Sequence, residues 1–243
     1  MTVEIADRPS RWRRRKDDRP AEILGAALTC FAERGFAATR LDDVAHRAGV
    51  TKGTLYLYFP NKEELFKAVV RQELLPNITR LEALVGEAAM MPAAELLAQM
   101  IRSWAEVVPT PVSAIPKIIV GEAGNFPDLA RFYNTEVVQR GIGLFRRVIG
   151  AGIERGEFRA VDLDSAVRCV VAPLLMAMLW QHSLGRHEAG AVDPELLCQT
   201  PLQLLLNGLA IHRPSGTSPA LAAECPAGAA AEVIHQEASR GCG

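Results

Sequence analysis

Thr39 to Lys62 reads TRLDDVAHRAGVTKGTLYLYFPNK, and its small and apolar residues fall where two crossed helices need them. Ala45 lets two helix backbones approach. Gly49, four residues later, permits the positive φ of a tight turn, and Val44, Val50 and Leu55 close a miniature core. Thr39, with Asp42 three residues on, reads as the cap of a short helix over 41–48. Thr51 reads as the cap of the next helix, which Pro60 ends. This second helix keeps an outward face of Lys52, Gly53, Thr54 and Tyr56, all short or flat enough to approach a nucleic-acid groove.

On the N-terminal side, Pro20 suits a first helical position, Ile23, Leu24, Ala27, Leu28 and Phe31 form an apolar stripe, and Gly35 supplies a stop. Residues 20–66 are therefore expected to form a helix-turn-helix head. Residues 1–19 hold seven Lys/Arg and read as a disordered basic arm, either laid in a minor groove or left as a solvated tail. On the C-terminal side, Asn61 with Glu64 opens a fourth helix that Pro76 breaks or kinks. Helical patterns then recur near 77–89, 93–108, 112–122, 127–155, 162–185 and 193–211, with no alternating strand pattern. The fold class is thus all-α: a small head and a larger helical domain over 67–212. Residues 213–243, rich in Ala, Gly, Ser and Pro, read as a disordered tail.

This segment resembles the TetR family of bacterial transcriptional repressors, through FAERGFAATRLDDVAHRAGV followed by TKGTLYLYFPNKEELF, a likeness that covers about residues 20–70. The resemblance implies a DNA-binding head, a linking helix, a ligand-binding body and a homodimer formed through the last two helices. It places Thr39 and Arg40 near the backbone or groove edge, and Thr51, Lys52, Gly53 and Thr54 in the major groove. Tyr56 and Tyr58 would hold phosphates or brace the helix, and Lys62 would clamp a phosphate. The function implied is a repressor that binds a palindromic operator as a dimer and is released by a small, apolar effector. Position 58 is often histidine in such proteins and is Tyr58 here.

In the body, aromatic and sulfur side chains suit a pocket for apolar molecules, and Trp104, Phe132, Tyr133, Met176 and Trp180 are the candidates for its wall. Leu174, Met178, Leu202, Leu205 and Leu209, on the last two helices, are the candidates for the dimer interface. Ordinary core packing uses the same residue types.

Composition narrows the classes. With 243 residues, 49% of them apolar, the chain can bury a real core. Five scattered cysteines, Cys30, Cys169, Cys198, Cys225 and Cys242, give neither a disulfide framework nor a metal module, so a cytoplasmic setting is expected and no metal or cofactor. The longest uncharged run, 169–185, is shorter than the roughly 20 residues of a membrane span. Net charge is -1 overall, yet residues 1–80 carry 15 Lys/Arg against 11 Asp/Glu, a balance that suits a polyanion at one end only. No catalytic constellation is present: G-x-S-x-G, P-loop and H-E-x-x-H motifs are all missing. Two rival readings stand beside the repressor: a DNA-binding dimer without an effector, and a helical-bundle enzyme.

Overall fold

In a computed structural model, which describes residues 11–88, 90–188 and 193–209, those segments are helices joined by turns and short loops. The head consists of α1 (Arg11–Arg34), α2 (Leu41–Arg47) and α3 (Lys52–Tyr58), with α4 (Lys62–Val69) leaving it. The body consists of α5 (Leu75–Glu87), α6 (Ala93–Val107), α7 (Ala114–Glu122), α8 (Pro127–Tyr133), α9 (Gln139–Glu154), α10 (Leu163–Gln181) and α11 (Pro194–Leu209). No β-strand occurs among the described residues, as the periodicity predicts.

Three local features differ from the sequence reading. Helix α1 begins by Arg11, so Pro20 lies inside it and part of the expected arm is helical. Arg and Lys are good helix formers, and extending a helix already nucleated on the core is easy, so the missing N–H of Pro20 is tolerated. The first ten residues and the tail from 210 lie outside the described residues.

Second, Pro76 does not break the fourth helix. A π-helical turn, Val70–Leu74, joins α4 directly to α5, where Pro76 sits in the first turn. There its missing N–H costs little, and the widened turn absorbs the register change.

Third, Thr39 does not cap α2. The N-cap is Arg40, which makes no side-chain cap bond, while Asp42 and Asp43 complement the dipole in the first turn. The Thr39 hydroxyl, 1% exposed, instead turns back beneath α1, 2.7 Å from the Gly35 carbonyl and 3.2 Å from that of Cys30. It serves the end of α1, whose chain reversal uses Gly35 at φ 80°.

The remaining punctuation is as read. Gly49 has φ 64°, and the pair of bonds Gly49 N–H to His46 and Val50 N–H to Ala45 closes α2 in a Schellman turn. Thr51 accepts from the Thr54 N–H at 3.1 Å, and Asn61 from that of Glu64 at 2.8 Å.

Two hydrophobic clusters hold the described residues together. The first joins Phe31, Phe36, Val44, Leu55 and Phe66 of the head to Ile115, Ile118, Ile119, Leu129 and Tyr133 from α7 and α8. The second is built from α5, α6, α9, α10 and α11 around Leu97, Met100, Phe145 and Leu174. The boundary drawn at residue 66 is therefore a boundary in sequence and not in packing.

Candidate nucleic-acid interface and body cavity

Leu55 is fully buried and fixes which way α3 faces. Lys52, Gly53, Tyr56 and Leu57 then point outward, at the i, i+1, i+4, i+5 spacing of one helix side. Tyr56 is 44% exposed and Leu57 84%, large apolar surfaces that nothing in the described chain covers. The Lys52 ammonium lies 2.9 Å from Asp42 and 5.9 Å from the Tyr56 ring centroid, and the carboxylate raises its pKa. Arg40 is exposed at the entry of α2. Salt bridges Arg34–Asp43 and Arg47–Glu33, each at 2.7 Å, link α1 to α2 at the surface.

The other residues expected on this surface have structural work. Thr51 and Thr54 bond to each other, with hydroxyls 2.9 Å apart, and Thr54 is half-buried. Tyr58 is half-buried against the first cluster and beside Phe59, so it braces the helix. Thr39 is buried, as described. Lys62 corrects the phosphate-clamp expectation: its ammonium donates to the carbonyls of Phe36, Ala37 and Thr39 at 2.8, 2.9 and 3.2 Å and lies 4.6 Å from the Phe36 ring centroid. All three N–H donors are engaged, and burial lowers its pKa against the pull of Glu122. Leu57 escaped the sequence reading because leucine in a helix reads as core; its spacing from Gly53 was the available signal.

In the body, a cavity of about 330 Å³ lies among α5, α6, α7, α8, α9 and α10. Trp104 and Tyr133 line it. Phe132 does not: it stacks with Arg71, whose guanidinium carbon is 4.8 Å from the ring centroid. Met176 is 55% exposed on the outer side of α10, and Trp180 packs beside Gly185; neither reaches the cavity. The wall is completed by aliphatic side chains such as Ile78, Leu81, Val137, Ile142 and Met178. On the 134–154 stretch, Val137, Gly141 and Phe145 repeat every four residues and present one side of the helix to the cavity. A second π-helical turn, Asn134–Val138, presents part of this wall. Burial pushes the Tyr133 phenol far above its ordinary pKa, so it stays protonated.

The dimer candidates are likewise corrected. Leu174, Met178, Leu202 and Leu209 are between 1% and 8% exposed inside the second cluster, and Leu205 packs against it. Residues of this size facing inward satisfy the body's own core first. The apolar residues that α10 and α11 leave exposed are Cys169, Ala172 and Met176 on one, Leu196 and Leu204 on the other, among polar residues such as Arg168 and Gln203. Helix α10 is apolar enough by composition to cross a membrane, but it packs on α7, α9 and α11 as a bundle helix.

Residues 23–69 match the model of bacterial regulatory proteins of the tetR family, and residues 92–192 match that of the tetracyclin repressor-like C-terminal domain. The chain belongs to the TetR family of transcriptional regulators. Its class is that of ligand-responsive, DNA-binding transcriptional repressors. The HTH-type transcriptional repressor KstR2 of Rhodococcus jostii is 28% identical over 197 residues, which is 80% of this chain and 93% of that one. RutR of Escherichia coli is 54% identical, but over 52 residues only, 21% of this chain and 24% of that one. Among solved structures, KstR2 of Mycobacterium tuberculosis aligns with TM-score 0.62 at 26% identity, covering 80% of this chain and 96% of that one. FadR of Bacillus subtilis, solved with stearoyl-CoA, aligns with TM-score 0.66 at 23% identity over 78% and 98%, a likeness of fold. These relatives of the TetR-family chain are regulators, not enzymes.

Proposed function

We propose that this TetR-family protein is a cytoplasmic homodimeric repressor, without enzymatic activity, that grips a palindromic operator through α3 and lets go when an apolar effector fills the body cavity. The observation that carries the reading is shared packing. Ile119 and Tyr133 line the cavity and also belong to the hydrophobic cluster of the head, so an occupant presses directly on the residues that seat α1 and α4. An apolar cavity of this kind also favours an effector over regulation by concentration alone.

On DNA, Lys52 and Arg40 meet phosphates, while Gly53 lets the α3 backbone approach the groove and Leu57 offers an apolar contact to a thymine methyl. Lys62 acts indirectly, by holding the α1–α2 connection. One short helix makes too few base contacts for useful specificity, so two copies related by a two-fold axis are required. The outer sides of α10 and α11, with Met176 and Leu204, are the surface a second copy covers. Release requires that the effector bind the free form better than the operator-bound form, and DNA must then weaken effector binding by the same factor.

The test is selection of random duplex DNA by the purified protein at near-physiological salt. An inverted-repeat consensus supports the reading; no enrichment by folded protein rejects it, and a single unrepeated half-site rejects the dimer.

A further inference from the structure

Polar groups around the cavity are few: the neutral side chains of Asn77, Ser103 and Asn134, and beside them Trp104, Tyr133 and Arg80. The indole N–H of Trp104 is buried and is the one buried side-chain polar atom among the described residues with no hydrogen-bond partner. An indole nitrogen can only donate, so nothing but an acceptor relieves it. The Tyr133 hydroxyl, protonated and with no protein hydrogen bond among the described residues, can donate as well as accept on the same wall. Arg80 is the one charged residue of the lining, and no carboxylate lines the cavity. Glu106, 3.6 Å from Arg80, lies outside that lining.

From this pattern we infer that the effector is an aliphatic molecule whose polar end is a hydrogen-bond acceptor, a carbonyl or a carboxylate, held at Trp104 and Tyr133, and that the cavity rejects cationic amphiphiles. The inference rests on the effector reading above and adds the ligand's chemistry. An acceptor beside the indole removes the orphaned donor, an advantage no ammonium group provides. The rings of Trp104, Tyr133 and Phe145 attract a cation weakly, but with Arg80 in the wall and no counter-ion there, that attraction falls short of the desolvation of the charge. Arg80 favours a carboxylate over a neutral carbonyl, so the two acceptor forms are separable.

The experiment is calorimetric titration of the full-length protein with three probes of equal chain length: decan-2-one, decanoate and decylamine. The ketone and the acid are expected to bind and the amine not. Trp104→Phe keeps the ring and removes the donor; it should weaken the ketone and acid by about three- to tenfold. Arg80→Gln should weaken the acid only. Equal binding of the amine, failure of all three probes to bind, or a Trp104→Phe variant that melts like the parent and binds the ketone unchanged would each overturn the inference. Operator release is scored separately with the same probes. Acceptor probes that bind without releasing DNA sink the effector reading and leave the ligand chemistry standing.

Discussion

At the scale of single residues, the head shows how one side chain type can take unrelated tasks. Thr51 caps α3 with its hydroxyl, whereas Thr39 serves the end of α1. Replacing Thr51 by Ala should cost about 1 kcal/mol of stability, read from the urea midpoint. Gly53 is exposed, and a Cβ there would meet only the Thr51 hydroxyl, at 3.9 Å. Gly53→Ala should therefore leave the melting temperature unchanged or higher while weakening operator binding; unchanged affinity would remove Gly53 from the interface. Lys62→Ala strands three carbonyls and should destabilise the protein by about 1–3 kcal/mol. Its salt dependence of DNA binding should keep the parent slope, because no phosphate contact is lost. A slope shallower by about one would restore the phosphate clamp.

At the scale of elements, the body depends on one close crossing. Gly152 of α9 faces the Phe158 ring and Ala93 of α6, and an added Cβ would lie 2.4 Å from Phe158 and 2.8 Å from the Ala93 methyl. Alanine is favoured over glycine in a helix by about 1 kcal/mol, yet overpacking costs about 1–3 kcal/mol, so Gly152→Ala should lower the melting temperature. Beside the same crossing, the Glu157 carboxylate accepts from the Ala93 N–H and pairs with Arg155 at 2.5 Å, which lowers its pKa from the usual 4.5. A lowered carboxylate pKa gives stability that is present above the unfolded value and lost as pH falls through the folded one. Glu157→Gln should accordingly destabilise at neutral pH, and the gap in urea midpoint should close as pH falls below about 4. The π turns at 70–74 and 134–138 belong to this scale too: both contribute to the cavity wall, Leu74 from one and Val137 from the other.

At the scale of the whole molecule, the head and the effector domain share a core, and the shared rings are where communication is expected. Phe36 of the head and Phe126, before α8, have centroids 4.8 Å apart, and the Ala37 N–H donates to the Glu122 carboxylate at 3.2 Å. Phe126→Ala should leave effector affinity near the parent value while reducing the factor by which effector weakens operator binding. An unchanged factor would place the coupling in α4 alone. Met176→Asp with Leu204→Asp should give a monomer by sedimentation and abolish specific binding; a variant that remains dimeric moves the interface elsewhere.

The sequence by itself determined the helical class, the helix-turn-helix and its turn chemistry, and the approximate bounds of the body helices. These follow from local rules: Gly35 and Gly49 at positive φ, hydroxyl and amide caps at Thr51 and Asn61, and apolar spacing near 3.6 residues. Which way a given side chain faces was settled only by tertiary structure. Periodicity marks an apolar side of α10 or α11 but cannot say which neighbour covers it. The leucines expected between subunits were thus drawn into the body's core, and Met176, expected in the pocket, was left outside. Lys62 carries the same lesson for charge: its partners are carbonyls 23 to 26 residues away, brought within 3.2 Å by the turn after α1. A lysine's burial and bonding depend on what the chain folds against it, and residue type alone does not record that.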